Sequence, residues 1–248
     1  MEREIVSQSK GTGMVSRSLL KDVAEILPKL SITDNFSEIR EEIISSLKYN
    51  SEYSRKRYQR YITAYIFPDS TVDKPLLIFS KKASKNSLRD VCLYKFCKRY
   101  PLMQELFREL FVPNMSRGLV ARKKVDDYLK EKFPNSEMGK DGSRGFLESL
   151  KDANVIKSKG QNLTFSYRQV DPISFAYMLH AEFPSPGMYD ISKIERNQLF
   201  VSQLWQSRDL LESLYILRNK GIISKLSEID TVRQFTTKFT LEQFAASL

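Results

Sequence analysis

The chain has 248 residues, 41% of them hydrophobic and 28% charged, which is ordinary for a globular protein of one large domain or two to three small ones. No run approaches the ~18 apolar residues that a membrane span requires, and the N-terminus, MEREIVSQSK, lacks the apolar core of a secretory signal. Forty Lys and Arg against 30 Asp and Glu leave a net charge of +10, a balance that attracts polyanions and above all nucleic acid.

Taken in chain order, the spacing of apolar residues predicts helices first. Residues 14–30 carry Leu19, Leu20, Val23, Ile26 and Leu27 at helical spacing, with Ser16 or Ser18 as a cap. Asp34 and Asn35 offer caps for a second helix, FSEIREEIISSLKYN, and a third follows in SEYSRKRYQRYITAYIF. Pro68 and Asp69 break it, and residues 68–75 read as a loop. From Leu76 to Phe111 the pattern is helical again, divided or kinked at Pro101. Residues 1–112 therefore predict an N-terminal bundle of four to five helices, with a boundary at Val112-Pro113-Asn114.

The next segment changes character. Ser116 is placed to cap a helix, RGLVARKKVDDYLKEKF. After a turn through Gly139 and Gly142, Ser143 opens a short helix, RGFLESLKDA. Two strands follow, VIKS and NLTFSYRQV, in which Leu163, Phe165 and Tyr167 alternate with Thr164, Ser166 and Arg168. Their loop, Lys157-Ser158-Lys159-Gly160, is basic and glycine-tipped. Helix, turn, helix and hairpin over 113–172 is the order of a winged-helix unit. Residues 173–248 predict helices at SFAYMLHAEF and DISKIERNQLFVSQLW, then SRDLLESLYILRNKGI with Ser207 as cap and Gly221 just past its end. IISKL and TVRQFTTKF can pair around Ser227–Asp230, a possible second winged-helix-like hairpin. The fold class is thus mainly α: a helical bundle followed by winged-helix units.

Three basic clusters are candidates for nucleic-acid contact. Arg55, Lys56, Arg57 and Arg60 interleave with Tyr53, Tyr58, Tyr61 and Tyr65, so that arginines could meet phosphates while tyrosines stack; the alternative is a solvated face over half-buried rings. Lys81, Lys82, Lys85 and Arg89 precede or open a helix, where an anion would be welcome, or form a plain basic loop. In the winged unit, Arg122, Lys123 and Lys124 lie on the first helix, Ser143, Arg144 and Lys151 on the presumed recognition helix, and Lys157, Lys159 and Arg168 on the wing. Glu148 and Asp152 make that recognition helix mixed in charge, and winged units also dock proteins.

Signals for chemistry are close to absent. His180, the one histidine, sits among apolar neighbours and reads as structural. Cys92 and Cys97 read as core thiols, too few for a zinc site or a disulfide framework, and they fit a reducing cytoplasm. Gly11-Thr-Gly13 lacks the GK[ST] end of a phosphate loop. No enzyme, metal or cofactor is expected.

The segments SRSLLKDVAEIL, NSEYSRKRYQRYI and FPSPGMYDISKIERNQLF…LLESLYILRNKGII together resemble the BrxA family, over roughly residues 14–239. These are small proteins encoded within BREX phage-defence systems of bacteria and archaea. The resemblance implies a helical, winged-helix-containing protein that binds DNA, supports host discrimination or defence and has no chemistry of its own. It carries over no catalytic residue, and the basic stretch 55–60 is the nearest thing to a shared motif. The expectation is a non-catalytic protein contacting double-stranded DNA mainly through phosphates; the rivals are a protein-interaction adaptor and an RNA-binding protein.

Overall fold

Most N-terminal helices begin where a short polar side chain satisfies the free amides of a first turn. Asn35 accepts from Ser37 and Glu38 at the start of α2 (Phe36–Ser46), and Ser51 from Ser54 at the start of α3 (Glu52–Ile66). Asp73 caps α4 (Lys74–Lys82) and Ser84 caps α5 (Lys85–Arg99). They follow α1 (Leu20–Ile26) and precede α6 (Pro101–Leu106), which runs on through a π-helical turn over residues 107–111. The computed structural model describes residues 18–132, 138–184, 186–229 and 232–248, and among them the chain is mainly helical with two small antiparallel sheets.

The expected break at Pro68 and Asp69 is present, and Pro101 does divide the long helical stretch. The loop over 68–75 is shorter than expected, because the Asp73 cap and Pro75 in the first turn start α4 at Lys74. Gly11 and Gly13 lie outside the described residues, as does the N-terminal part of the helix expected over 14–30.

The first sheet is made by β1 (Leu119–Ala121), β2 (Lys157–Lys159) and β3 (Asn162–Thr164), in the order β1-β3-β2. Between β1 and β2 run α7 (Arg122–Lys132) and α8 (Met138–Asp152). The helix expected to start after Ser116 therefore starts five residues later than expected, at Arg122, since residues 119–121 pair with β3 instead. Gly118 makes this turn: its φ is +63°, and a Cβ there would lie 2.9 Å from the Phe165 carbonyl oxygen. The turn expected at Gly139 and Gly142 is helical, so α8 begins before Ser143.

The second half repeats the plan. Helix α9 (Pro172–Glu182) leads to β4 (Met188–Asp190), short helices α10 (Ser192–Arg196) and α11 (Gln198–Val201), then α12 (Ser207–Asn219), β5 (Ile223–Ile229) and β6 (Val232–Thr237). The strand order is β4-β6-β5, again first-third-second. The helix expected over DISKIERNQLFVSQLW is instead a strand end and two short helices, broken at Asn197, whose side chain caps α11. Residue 207 opens α12, but its side chain makes no cap. The two helices before the hairpins end alike. In α12 the amides of Gly221 and Ile222 reach back to Arg218 and Leu217; in α8 those of Asn154 and Val155 reach back to Lys151 and Leu150. Gly221 and Asn154 take the left-handed conformation this motif demands, at φ 71° and 56°. A last helix, α13 (Leu241–Ser247), returns to pack on α4 and α9.

Buried side chains form one continuous core from Leu19 to Ala245. Helices α5 and α9 run through its centre: nine of the fifteen residues of α5 are buried, and so is every residue of α9 from Ser174 to His180. Two polar junctions fasten α5 to the second half. Glu182 accepts from Tyr94 (2.6 Å), Lys98 (2.9 Å) and Asn197 (3.1 Å). Burial raises the Glu182 pKa, yet these three donors outweigh it and hold the carboxylate below its usual range. At the other junction, Arg168 pairs with buried Asp90, while its backbone amide donates to the Leu204 carbonyl (2.8 Å).

Candidate nucleic-acid interface

Strand register decides which basic residues meet. Ala121 and Lys159 both lie opposite Asn162, so β1 and β2 present the same end to the hairpin tip. The chain leaves β1 at that end, and the Arg122 amide donates to the Gln161 carbonyl (2.9 Å). Arg122, first of the run Arg122-Lys123-Lys124 that opens α7, thus lies beside the tip of the hairpin that carries Lys157, Lys159 and Gly160. Two clusters more than thirty residues apart in sequence are brought to the same end of one sheet. All five cations are exposed, and none forms an ion pair among the described residues. Gly160, at φ 59°, turns the tip in open space. Arg144 is exposed on α8 and likewise unpaired among the described residues, whereas Lys151 is held by Glu148 at 2.8 Å, three residues before it.

Two candidates of this unit are corrected. Ser143 is buried on the packed side of α8, because the helix starts before it rather than at it. Arg168 does not project from the hairpin. Alternation holds for Leu163 and Phe165, which are buried, but the chain then leaves the sheet; Tyr167 is exposed and Arg168 turns inward to Asp90. An arginine spent on a buried carboxylate is not available to a phosphate.

The cluster on α3 is dispersed rather than gathered on one face. Arg55 donates to the Tyr49 carbonyl at 2.8 Å. Lys56 pairs with Glu52 at 2.6 Å, and each raises or lowers the other's pKa in the sense that keeps both charged. Arg57 lies over the Tyr61 ring at 5.8 Å. Tyr58 and Tyr61 are half-buried against the core, Tyr58 stacking on Tyr49 at 4.5 Å, while Tyr53 is 72% exposed. Lys81 and Lys82 close α4 rather than open a helix, and donate to the carbonyls of Pro28 and Ala246. Only Lys85 opens one.

Arg60 has another setting. It lines a cleft between α2, α3 and α5 together with Arg40 and Arg99. Sequence reasoning missed both partners: Arg40 sits in the acidic run IREEI and Arg99 at a helix end, and nothing local joins them.

His180 and both cysteines are buried, as read from the sequence. Burial lowers the His180 pKa and pushes both thiols up to about 12. Among the described residues there is no group of three or more His, Cys, Asp or Glu placed to hold a metal, and no helix long and apolar enough to cross a membrane.

A helical base bearing two like strand–helix–hairpin units, one of them with an unneutralised basic edge, defines a mainly α protein of repeated architecture. The chain belongs to the BrxA family: the family model matches residues 12–138, just over half of its length. Membership implies a component of a BREX phage-defence system. No curated protein and no solved structure matches the chain.

Proposed function

We propose that this protein is a non-catalytic, cytoplasmic DNA-binding component of its defence system. In this reading residues 1–112 form a helical base, residues 113–172 a winged-helix unit, and residues 173–248 a helical region carrying a second one. The observation that carries the reading is the joined basic edge of Arg122, Lys123, Lys124, Lys157 and Lys159, exposed and free of ion pairs among the described residues. Unpaired cations along a projecting hairpin suit a phosphate backbone, which they would grip by releasing condensed counterions. Arg144, exposed on α8, would meet a base edge or a nearby phosphate in this reading. With so few base-reading groups, binding is weakly sequence-specific. Other proteins of the system are natural partners for the remaining surface.

The test is fluorescence anisotropy of the full chain with duplex DNA, single-stranded DNA and RNA across a salt series. Duplex DNA should bind most tightly, with log affinity falling linearly against log salt at about −0.9 per phosphate neutralised. Equal affinity at low and moderate salt would point to the adaptor reading, and preference for RNA to the third.

A further inference from the structure

The cleft between α2, α3 and α5 has a volume of about 370 Å³. Arg40, Arg60 and Arg99 line it from three helices, and none of the three forms an ion pair among the described residues. Asp69 on the rim is the single lining carboxylate among the described residues, so three cations and one anion leave the cleft at a formal +2. Arg99 is already oriented: its Nε donates to the Ala64 carbonyl at 3.1 Å, leaving its two terminal nitrogens without a protein acceptor among the described residues. The wall behind is polar and fixed, since buried Gln59 donates to Thr63 at 3.2 Å. Phe36, half-buried, supplies an aromatic edge. Two successive non-glycine residues at the mouth, Asp69 and Ser70, hold left-handed φ angles of 59° and 58°, a strained arrangement of the kind that gathers at ligand clamps.

We propose that this cleft binds a phosphate monoester. Planar guanidinium forks match phosphate oxygens in paired hydrogen bonds, and three of them from separate helices can surround one tetrahedral group. The net charge favours the monoester, which carries close to −2 at neutral pH, over a backbone diester with −1. The volume is that of a small-ligand pocket, within the usual range of about 300–1,000 Å³, and far too narrow for a duplex. A phosphate attached to a nucleobase would set its ring against Phe36. The same group could arrive as a free nucleotide or as the 5′-phosphorylated end of a strand. This site shares no residue with the basic hairpin edge and does not depend on duplex binding there.

Isothermal titration of the full chain at constant ionic strength decides it. The probes are a nucleoside monophosphate, the matching nucleoside, and a four-nucleotide single strand with either a 5′-phosphate or a 5′-hydroxyl. At least one phosphorylated probe should bind at least tenfold more tightly than its unphosphorylated counterpart. A gain for the monophosphate alone assigns the site to free nucleotides; a tenfold gain for the phosphorylated strand, competed by the monophosphate, assigns it to strand ends. The exposed pair Arg40→Gln/Arg60→Gln should lose at least tenfold in that affinity while keeping its melting temperature and losing no more than a few fold in duplex binding, the share that its change in net charge accounts for. If that variant does not fold, Arg99→Lys, which keeps the charge but loses the fork, should weaken the same probe severalfold. No advantage for either phosphorylated probe, or unchanged affinity in a folded variant, overturns the proposal.

Discussion

The two hairpin units share a strand order, a helix-ending motif and even one hydrogen bond, yet differ in what they do with charge. The Arg122 amide donates to Gln161 in the first; at the matching place in the second, the Ile191 amide donates to Arg233, also at 2.9 Å. Around the first lie five exposed cations without ion pairs among the described residues. Around the second, Arg233 is shared between Glu228 (3.3 Å) and Glu195 (3.6 Å), and Glu228 also accepts from Tyr215. Backbone architecture can therefore be repeated while the electrostatics of the edge are rewritten by a few side chains. In the first unit the cations at the hairpin are left without carboxylate partners among the described residues, whereas in the second the arginine at the matching backbone position is neutralised from within.

The comparison assumes that both units are held in place, and the strongest way to break it is at their shared strut. Arg168→Ala leaves Asp90 buried without its partner and should cost about 3–5 kcal/mol in denaturant unfolding. Burial already pushes the Asp90 carboxyl up against the pull of Arg168, so the double change Asp90→Asn/Arg168→Met should recover much of the loss. An Arg168→Ala protein as stable as the parent would show that the junction is ornamental.

Next in size is the contrast between the hairpins themselves. Lys157→Ala/Lys159→Ala should weaken duplex binding roughly ten- to hundredfold at low salt and flatten the salt slope by about 1.8, with an unchanged melting temperature. Lys225→Ala on the second hairpin should do almost nothing. Equal losses at the two sites would erase the distinction.

A smaller effect sharpens it from the other side. Glu195→Gln/Glu228→Gln frees Arg233 and removes two negative charges, so duplex affinity should rise a few fold, and the gain should fade at high salt. No rise at low salt would mean that the second edge faces away from the DNA.

The last concerns α9, which belongs to the second unit. His180 is fully buried, its Nδ1 bonded to the Ala176 carbonyl (2.9 Å) and its ring stacked on Phe244 at 5.0 Å. Burial lowers its pKa in the folded state, so the unfolded chain takes up the proton first. Stability is therefore full above about pH 6.5 and falls as pH drops below it, by at most about 1.4 kcal/mol per pH unit. Thermal melts of His180→Leu should lose that part of the slope; an identical slope in the variant would assign it elsewhere.

What the sequence by itself determined is local. The cap at Asn35, the breaks at Pro68 and Pro101, the left-handed Gly221 and the basic hairpin with Gly160 are all written within a few residues of where they act. So is the helical period that filled one core. Only the tertiary structure decided the rest, because it depends on partners distant in the chain. β1 is three residues long, too short for an alternation to register, and exists because β3 pairs with it. The inward turn of Arg168 is set by Asp90, seventy-eight residues away. The joining of residues 122–124 to 157–159 is a matter of strand register, and the meeting of Arg40, Arg60 and Arg99 a matter of how three helices pack. Charge can be counted along a sequence, but whether a cation is free or neutralised depends on what folding brings beside it.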